Sequence, residues 1–523
     1  MSANKLLILD KQPTLPIEWE SHAGPAVIGK DILELFSGSM YIDPMSIFRE
    51  YIQNAADSID EACRNGMLGP KDRSRVEIKL TPLTRTVTIR DNGTGLPHNE
   101  FVERLIAIGG SKKKGTEARG FRGIGRLAGL GYCQELIFRS RVKGSSRVSE
   151  LRWDCRQLRA LLRDATFQGD LAAIINQTSK IGRVKSDNFP ERFFEVELCG
   201  VVRHGNDQLL NSNAVEAYLA EVAPVPFAPE FRFGSMIVDL LRTHLLLNDI
   251  EIYINDSEHP VYRPHRNNLP LGESKSDSFT ELQPIHIPAV DGGVAAAGWI
   301  LHHGYIGSLP QSAPIRGLRT RSGNMQIGAG DILQGLYSEP RFNGWTVAEV
   351  HVLDKRLVPN GRRDHFEQNV HLRNLENYLS PYAREISSRC RTNSAKRKLM
   401  RDFNRNRGLI DELIEILEQG GLNRSDRAGI ANKIQQTLDL MERITNRNTL
   451  DNQTKLELTS TLVSLRNSLT EIIDTLPTNN PLAHFPAGKR RAYEKIIGLI
   501  YECSSNQMVA KTLVDKVIAK LTE

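Results

Sequence analysis

The stretch Phe48-Arg-Glu-Tyr-Ile-Gln-Asn-Ala-Ala-Asp-Ser-Ile-Asp-Glu-Ala62 decides the fold, because its spacing predicts a helix with two different faces. Apolar residues at helical spacing predict a buried face made of Ile47, Tyr51, Ala55, Ile59 and Ala62. Glu50, Asn54 and Asp57 share another face of this helix. Glu50 could accept a proton from water, and Asn54 could offer an oxygen to a hard divalent cation. A solvated polar face is the alternative that this helix alone leaves open.

A second motif, Val87-Thr-Ile-Arg-Asp-Asn-Gly-Thr-Gly-Leu96, places a predicted strand before a turn that contains glycine. Valine and isoleucine alternate there as in a strand that reaches Asp91. Gly93 and Gly95 permit positive φ and a close approach of the backbone. An aspartate at this place can accept a hydrogen bond from an exocyclic amine, and a plain hairpin turn is the alternative.

A third region is rich in glycine, since Ile108-Gly-Gly-Ser-Lys-Lys-Lys-Gly115 is followed by Gly120-Phe-Arg-Gly-Ile-Gly-Arg-Leu-Ala-Gly-Leu-Gly131. Backbone N–H groups in such a turn, with the start of a helix behind them, can bind phosphate groups. The spacing is not that of a P-loop. A dinucleotide fingerprint is also disfavoured, because no strand–loop–helix unit with a following acidic residue surrounds these glycines.

The order and spacing of the three motifs resemble those of the GHKL superfamily of ATPases, which includes gyrase B, the ninety-kilodalton heat-shock chaperones, histidine kinases and MutL. The first motif resembles the N box of the family, and the other two resemble its two glycine boxes. The resemblance implies an α+β protein, with the Bergerat α/β sandwich as an ATP-binding domain over residues 26–245. Within the superfamily, the sequence most resembles stand-alone, chaperone-like ATP-binding proteins.

The resemblance also implies roles by position, with ATP and Mg²⁺ as the expected cofactors. Glu50 is the expected general base that activates water, Asn54 the Mg²⁺ ligand, and Asp91 the residue that recognises the adenine amino group. The implied nucleotide-binding set is Asn54, Asp57, Asp91, Gly93, Gly95, Lys112, Gly120, Phe121, Arg122, Gly123, Ile124 and Gly125. Histidine kinases lack this glutamate, so its presence favours hydrolysis of ATP over autophosphorylation. Phe194 takes the place where the family often has a threonine.

Phosphoryl transfer needs positive charge on the terminal phosphate in addition to Mg²⁺. In the family this charge comes from the following α/β transducer domain, which we expect over residues 246–380. The candidates, in the stretch Pro314-Ile-Arg-Gly-Leu-Arg-Thr-Arg-Ser-Gly-Asn-Met-Gln-Ile-Gly328, are Arg316, Arg319 and Arg321. A surface or ion-pair role is the alternative for any one of them. Arg362 and Arg363 are interpreted as structural or interfacial, and the polar residues 255–283 predict an inserted loop.

Residues 381–523 predict a helical region, and its leucines have the spacing of a packed seam. The seam consists of Leu458, Leu462, Leu465, Leu469, Ile472 and Leu476. Val509, Leu513, Val517 and Leu521 share a predicted face near the end of the chain. A self-contained bundle is one interpretation, and a surface for dimerisation or for a partner protein is the other.

Charge bears on the class of partner. Lys and Arg number 68 against 62 Asp and Glu, a net charge of +6, which argues against a uniformly basic nucleic-acid binder. Residues 389–407, from Arg389 to Arg407, nevertheless hold eight basic residues and one acidic residue. This basic stretch supports an alternative function as a DNA-engaging clamp of the MutL or MORC type.

The expected location is cytoplasmic, without a membrane partner. The six cysteines form no C-x-x-C pair, and the sequence has no uninterrupted apolar run of membrane-spanning length. Residues 1–25 carry several charges, are unlike a signal peptide, and predict an irregular N-terminal arm.

The leading hypothesis from the sequence is an ATP-driven conformational clamp that works as a homodimer. Its action on a partner protein would be chaperone-like or that of a switch in antiviral defence. A scaffold that binds ATP and never hydrolyses it is the third hypothesis.

Overall fold

The computed structural model describes residues 43–69, 72–107, 125–164, 166–167, 169–245, 247–272, 275–475 and 480–522. These residues form two β-sheets with associated helices, followed by a helical region. No helix within these ranges is both long and apolar enough to cross a membrane. The α+β class predicted from the sequence is confirmed.

The first sheet has seven strands: β1 (Arg75–Thr81), β2 (Thr86–Asp91), β3 (Glu135–Arg141), β4 (Arg147–Asp154), β5 (Ser179–Lys185), β6 (Phe193–Cys199) and β7 (Glu251–Ile254). Their order across the sheet is β5-β4-β3-β6-β2-β1-β7. All neighbours run antiparallel except β1 and β7, which run parallel. Burial alternates along β1 and β2, so one face of these strands points into a core.

In the described ranges, six α-helices accompany the sheets: α1 (Ser46–Arg64), α2 (His98–Ile106), α3 (Cys155–Arg163), α4 (Leu171–Thr178), α5 (Ser212–Val222) and α6 (Gly234–Arg242). The apolar face of α1 packs into the core of the first sheet, where Tyr51 and Ile59 join Val76 and Ile89. The buried face predicted for this helix is thereby confirmed.

The second sheet has six strands: β8 (Asn268–Pro270), β9 (Ser276–Pro288), β10 (Val294–His303), β11 (Gly317–Ser322), β12 (Met325–Ile327) and β13 (Val347–Val352). Their order is β12-β11-β13-β10-β9-β8. Central strand β10 is buried on both faces: Trp299 joins a core with Ile237 of α6, whereas Ile300 joins a separate core with Leu375. Helices cover both faces of this strand, which explains its continuous apolar sequence.

The helical region contains α7 (Val370–Gln419), α8 (Arg424–Thr445), α9 (Asn452–Thr475), α10 (Ala487–Cys503) and α11 (Gln507–Thr522). Helix α7 has 50 residues and belongs to two cores. Its Leu375 and Ile386 pack against the second sheet, and its Ile410 and Leu413 pack among the later helices. This single helix therefore connects the second sheet to the helical region.

Three elements differ from the boundaries expected from sequence. Strand β7 lies beyond residue 245 but pairs with β1, so the first sheet extends past that boundary. Strand β9 begins at Ser276, inside the residues predicted as a loop, and α7 begins at Val370 and passes through Pro381. The partner of a short strand depends on tertiary packing, and the polar sequence of β9 hid its pairing with β10.

Candidate functional site

The polar face of α1 lies at the edge of the first core. Glu50 is 8% exposed and Asp57 is 7% exposed, while Asn54 is half-buried. Burial of two carboxylates on one helix is unusual unless each has a partner or a task. A freely solvated face, the alternative reading of this helix, is therefore wrong for Glu50 and Asp57.

Glu50 is enclosed by two segments that are distant in the sequence. A Cβ atom built on Gly125 would lie 1.9 Å from Oε2 of Glu50, so only glycine fits there without displacing the carboxylate. Nε of Arg363 lies 3.1 Å from Oε1 of the same carboxylate. The acid on α1 thus meets a glycine of the second glycine box and a cation from beyond the second sheet.

The loop that carries Arg363 has a defined conformation. Pro359 and Phe366 pair at its base, and the N–H of Arg363 donates to the carbonyl of Asn360 at 3.1 Å. Nδ2 of Asn360 donates to Oδ1 of Asp364 at 2.6 Å. Arg363 has a φ of 57°, in the left-handed region that few residues other than glycine adopt. From the sequence, this arginine was interpreted as structural or interfacial. The Pro-Asn-Gly turn can be recognised in the sequence, but the direction in which it points Arg363 cannot.

Asp91 ends β2 in a buried position, with 4% of the residue exposed. Its Oδ1 accepts a hydrogen bond from the backbone N–H of Gly93 at 2.8 Å. Burial raises the pKa of Asp91 to about 7, although the Gly93 N–H, the Ser58 hydroxyl and the charge of Arg192 act in the opposite direction. A buried acid with remaining acceptor capacity can receive a hydrogen bond from an exocyclic amine.

The two glycines after Asp91 are required by their surroundings. A Cβ atom on Gly93 would lie 2.1 Å from Oγ of Ser58, on α1. Gly95 has a φ of +66°, and a Cβ atom there would lie 2.2 Å from the carbonyl oxygen of Arg141. The turn therefore fits closely between α1 and β3, which places Asp91 at a fixed point beside the helix that carries Glu50.

Arg126 is a half-buried cation that was not among the site residues expected from the sequence. It follows Gly125 in a short 3₁₀ helix, Gly125–Gly131, whose position is fixed because Tyr51 donates to the carbonyl of Arg126 at 3.2 Å. Nε and Nη2 of Arg126 are buried and have no hydrogen-bond partner in the described part of the chain. Burial lowers the pKa of Arg126 to about 10. A guanidinium beside a glycine turn, with two nitrogen atoms that find no acceptor among the described residues, fits an anionic group such as the phosphates of a nucleotide.

Phe194 lies directly opposite Asp91 in the pairing of β2 and β6. Its ring packs against those of Phe101 and Phe138, with centroids 6.5 and 6.2 Å away. A buried hydroxyl nearby belongs instead to Ser140 of β3, which accepts from the N–H of Leu96 at 2.7 Å. The wall beside Asp91 is therefore aromatic where the family often has a threonine.

The three arginines expected to reach the nucleotide contact other protein groups in this structure. Arg319 pairs with Glu221 at 2.7 Å, and Arg321 pairs with Glu349 at 3.1 Å. The guanidinium of Arg316 lies against Gly344. Within the described residues none of these three pairs with Glu50, so the ion-pair alternative describes Arg319 and Arg321.

Part of the expected site lies outside the described residues: Lys112, Gly120, Phe121, Arg122, Gly123 and Ile124. Within the described ranges, no group of three or more His, Cys, Asp or Glu side chains could hold a metal ion. Mg²⁺ is commonly bound by one or two protein ligands together with substrate phosphates and water, and Asn54 fits such a partial site.

Comparison with known proteins agrees with this geometry. Residues 44–168 match the family described as "Histidine kinase-, DNA gyrase B-, and HSP90-like ATPase". The Chaperone protein HtpG of Legionella pneumophila (strain Lens) is 34% identical over 134 residues, which are 23% of this chain and 21% of that protein. The Chaperone protein HtpG of Baumannia cicadellinicola is 27% identical over 318 residues, which are 54% of this chain and 45% of that protein. The chain thus matches less than half of the length of either relative.

Proposed function

Because residues 44–168 make this chain a member of the GHKL superfamily of histidine kinase-, DNA gyrase B- and HSP90-like ATPases, we propose that it binds ATP with Mg²⁺ and hydrolyses ATP to change its domain arrangement. The contact of 3.1 Å between Glu50 and Arg363 carries this proposal. It joins an acid beside the glycine turn to a cation that follows the second sheet, and phosphoryl transfer needs both kinds of group.

Nucleotide binding is proposed at the residues around the glycine turns. Asp91 would accept a hydrogen bond from the adenine amino group, with Gly95 allowing the backbone close to the base. Gly125 would face the phosphates together with the guanidinium of Arg126, whose Nε and Nη2 have no partner in the part of the chain that the structure describes. Mg²⁺ bound at Asn54 would neutralise charge on the phosphate oxygens.

Glu50 is the proposed general base. It would accept a proton from a water molecule whose oxygen forms a bond to the γ-phosphorus, while the bond from that phosphorus to the bridging oxygen breaks and ADP leaves. Arg363 holds the Glu50 carboxylate in the structure described here. A γ-phosphate would compete for the same guanidinium, which would leave Glu50 free to take the proton and put positive charge on the reacting group.

Replacement of Glu50 by glutamine tests the hydrolysis directly. Glu50→Gln keeps the shape of the side chain and removes the base, so we expect phosphate release to fall by about 10²–10⁴-fold with ATP affinity nearly unchanged. Glu61→Gln is the matched control, because Glu61 lies on the same helix and is exposed. Equal rates for Glu50→Gln and the wild-type protein would remove Glu50 from the mechanism. Binding of ATP without any phosphate release by the wild-type protein would support the non-hydrolysing scaffold.

The proposed action is chaperone-like and directed at a partner protein. The relatives named above are called chaperone proteins. The helical region also exposes large apolar side chains, as protein-binding surfaces do: Leu440, Leu456, Val463, Val509 and Leu513 are each at least 50% exposed. These side chains support a homodimer or a partner complex through this region. A role in antiviral defence stays a prediction from the resemblance alone.

The alternative of a DNA-engaging clamp rested on the basic stretch 389–407, and its charges are largely paired. The ion pairs are Arg389–Glu385, Arg391–Glu339, Lys396–Asp451, Arg405–Asp402 and Arg407–Asp411. Paired cations contribute less to the attraction of phosphate backbones than free ones do. This pairing favours a protein partner over DNA.

A further inference from the structure

Three side chains join the end of α5 to the second sheet: Arg319 and Gln326 are buried, and Glu221 is partly exposed. We call these three residues the interdomain clasp. Oε1 of Glu221 accepts hydrogen bonds from Nη1 of Arg319 at 2.7 Å and from Nε2 of Gln326 at 3.1 Å. Nη1 of Arg319 also donates to Oε1 of Gln326 at 2.9 Å. Each side chain therefore contacts the other two. Glu221 lies on a helix of the nucleotide-binding part, whereas the other two residues lie on β11 and β12.

The interdomain clasp leads to the arginine that contacts the proposed base. Nε2 of Gln326 donates to the carbonyl of Gly328 at 3.0 Å, and the N–H of Gly328 donates to the carbonyl of Arg363 at 2.8 Å. Nε of Arg363 then lies 3.1 Å from Glu50. A continuous chain of polar contacts thus runs from α5 through β12 to the carboxylate on α1.

The link between β12 and the Arg363 loop has little freedom to shift. Gly328 has a φ of +66°, and a Cβ atom there would lie 2.5 Å from the carbonyl oxygen of Asp364. Arg363 itself is held in the left-handed region by the turn described above. A change in the position of β12 would therefore be transmitted to Arg363 and not absorbed at this contact.

Burying polar side chains costs free energy, so the interdomain clasp would be an inefficient contact if it only stabilised the packing of α5 on the second sheet. Gln326 is 1% exposed and Arg319 is 6% exposed, and Nε of Arg319 is buried without a hydrogen-bond partner among the described residues. Apolar residues of similar size often stabilise a buried site as well as an ion pair does, whereas hydrogen-bonded polar groups define one relative position. Fixed placement of the second sheet on α5 is what this arrangement supplies.

We propose that Gln326 is a positioning residue for ATP hydrolysis: with Glu221 and Arg319 it sets the placement of β12 on α5 and thereby the reach of Arg363 to Glu50. This inference rests on the proposed function. It gives Arg319 a role in placing the second domain, distinct from contact with the nucleotide.

Replacement of Gln326 by leucine tests the role, because leucine keeps most of the volume and removes the hydrogen bonds. We expect kcat for ATP hydrolysis to fall by about 10- to 100-fold, as misplacement of a catalytic group by about 1 Å does. KM and the affinity for ATP should stay within about 2-fold, because the interdomain clasp does not touch the nucleotide-binding residues. Arg319→Lys, which keeps a charge toward Glu221, should lose less than Arg319→Met.

Tyr337→Phe is the matched control for loss of a buried hydrogen bond. Tyr337 is buried, and its hydroxyl donates to Oγ1 of Thr346 at 2.9 Å, outside the chain of contacts from Glu221 to Arg363. Its replacement should change thermal stability and leave kcat within about 2-fold. A double-mutant cycle with Arg363→Ala gives a second readout: Gln326→Leu should have no further effect on kcat once Arg363 is gone.

Each result separates the inference from the function on which it rests. Absence of ATP hydrolysis by the wild-type protein would overturn the proposed function and this role together. Hydrolysis that Glu50→Gln abolishes and Gln326→Leu leaves intact would overturn only the positioning role. The positioning role alone would also be overturned if Tyr337→Phe lowers kcat as much as Gln326→Leu, or if the losses from Gln326→Leu and Arg363→Ala simply add.

Discussion

At the scale of single residues, the energetic cost of burying Asp91 is a measurable property of the candidate nucleotide site. Its carboxyl group lies under the turn at Gly93, and burial raises its pKa to about 7. An acid whose pKa is higher in the folded protein than in the unfolded chain binds protons more tightly when folded. Its contribution to stability is therefore greatest near pH 4 and is lost as pH rises toward about 7.

The variant Asp91→Asn should remove this loss, because the amide cannot ionise. The free energy of unfolding of the variant, relative to that of the wild-type protein, should rise by roughly 2–3 kcal/mol from pH 5 to pH 8, because a shift of one pKa unit corresponds to about 1.4 kcal/mol. Thermal unfolding of both proteins without nucleotide at the two pH values measures the difference. Adenine recognition should be lost in the same variant, which titration with ATP measures.

The exposed aspartate Asp187 supplies the control for the effect of pH. Asp187→Asn should follow the wild-type Tm at pH 5 and at pH 8. A Tm difference between Asp91→Asn and the wild-type protein that does not grow from pH 5 to pH 8 would show that Asp91 ionises as freely when folded as when unfolded.

At the scale of elements, helical spacing correctly predicted which side chains of the leucine seam are buried. Leu458, Leu462, Leu465, Leu469 and Ile472 of the predicted seam are all buried in the core of the helical region, and Leu476 lies outside the described residues. Burial within the chain's own core supports the self-contained bundle.

The final helix shows the limit of this reasoning. Val509 and Leu513, predicted to share a face with Val517 and Leu521, are 64% and 50% exposed. Ala510 and Val514 are buried in their place. Two apolar stripes lie one residue apart on this helix, and only the position of the neighbouring helices decides which of them is covered.

Helix α8 offers a test of this buried face with two identical substitutions. Leu438 is fully buried and Leu440, two residues along the same helix, is 50% exposed. Leu438→Ala should destabilise the helical region by about 2–5 kcal/mol, because it removes buried surface and leaves a cavity. Leu440→Ala should change stability by no more than about 0.5 kcal/mol. Denaturant unfolding followed by circular dichroism measures both, and equal losses would contradict the orientation of this helix.

At the scale of the whole molecule, the distribution of charge bears on the choice between partners. The small net charge of +6 hides a basic stretch, and that stretch is largely neutralised by acids that lie as far away in the sequence as Asp451. Only the folded chain brings Glu339 and Asp451 to the basic helix, whereas the other three acids lie within four residues of their partners on the same helix. The sequence by itself left the DNA-binding alternative open for this reason.

A binding assay at low salt tests the alternative. We expect no saturable binding of duplex DNA at about 50 mM salt, where electrostatic attraction to phosphate groups is strong. Charge reversal of the exposed Lys398 and Arg401 to glutamate provides the comparison. Tight binding that weakens steeply with added salt, and is lost in this double variant, would restore the DNA-engaging clamp.

The sequence by itself determined the features that depend on short-range spacing. Periodicity of 3.6 residues placed Glu50 and Asp57 on one face of α1, and the Asp-x-Gly-x-Gly turn placed Asp91 at the end of a strand. These features follow from backbone geometry within a few residues, so they can be predicted without knowing how the rest of the chain folds. The α+β class and the superfamily could be inferred from them.

The tertiary structure alone decided which distant residues meet. It paired β7 with β1, and it put Arg363 at Glu50 while Arg319 and Arg321 contact the end of α5. The sequence does not distinguish these arginines, since each lies in the second half of the chain without a local pattern that shows its partner. Their roles differ because the packing of α5 against the second sheet buries two of them, and the left-handed turn at residue 363 directs the third to the proposed base.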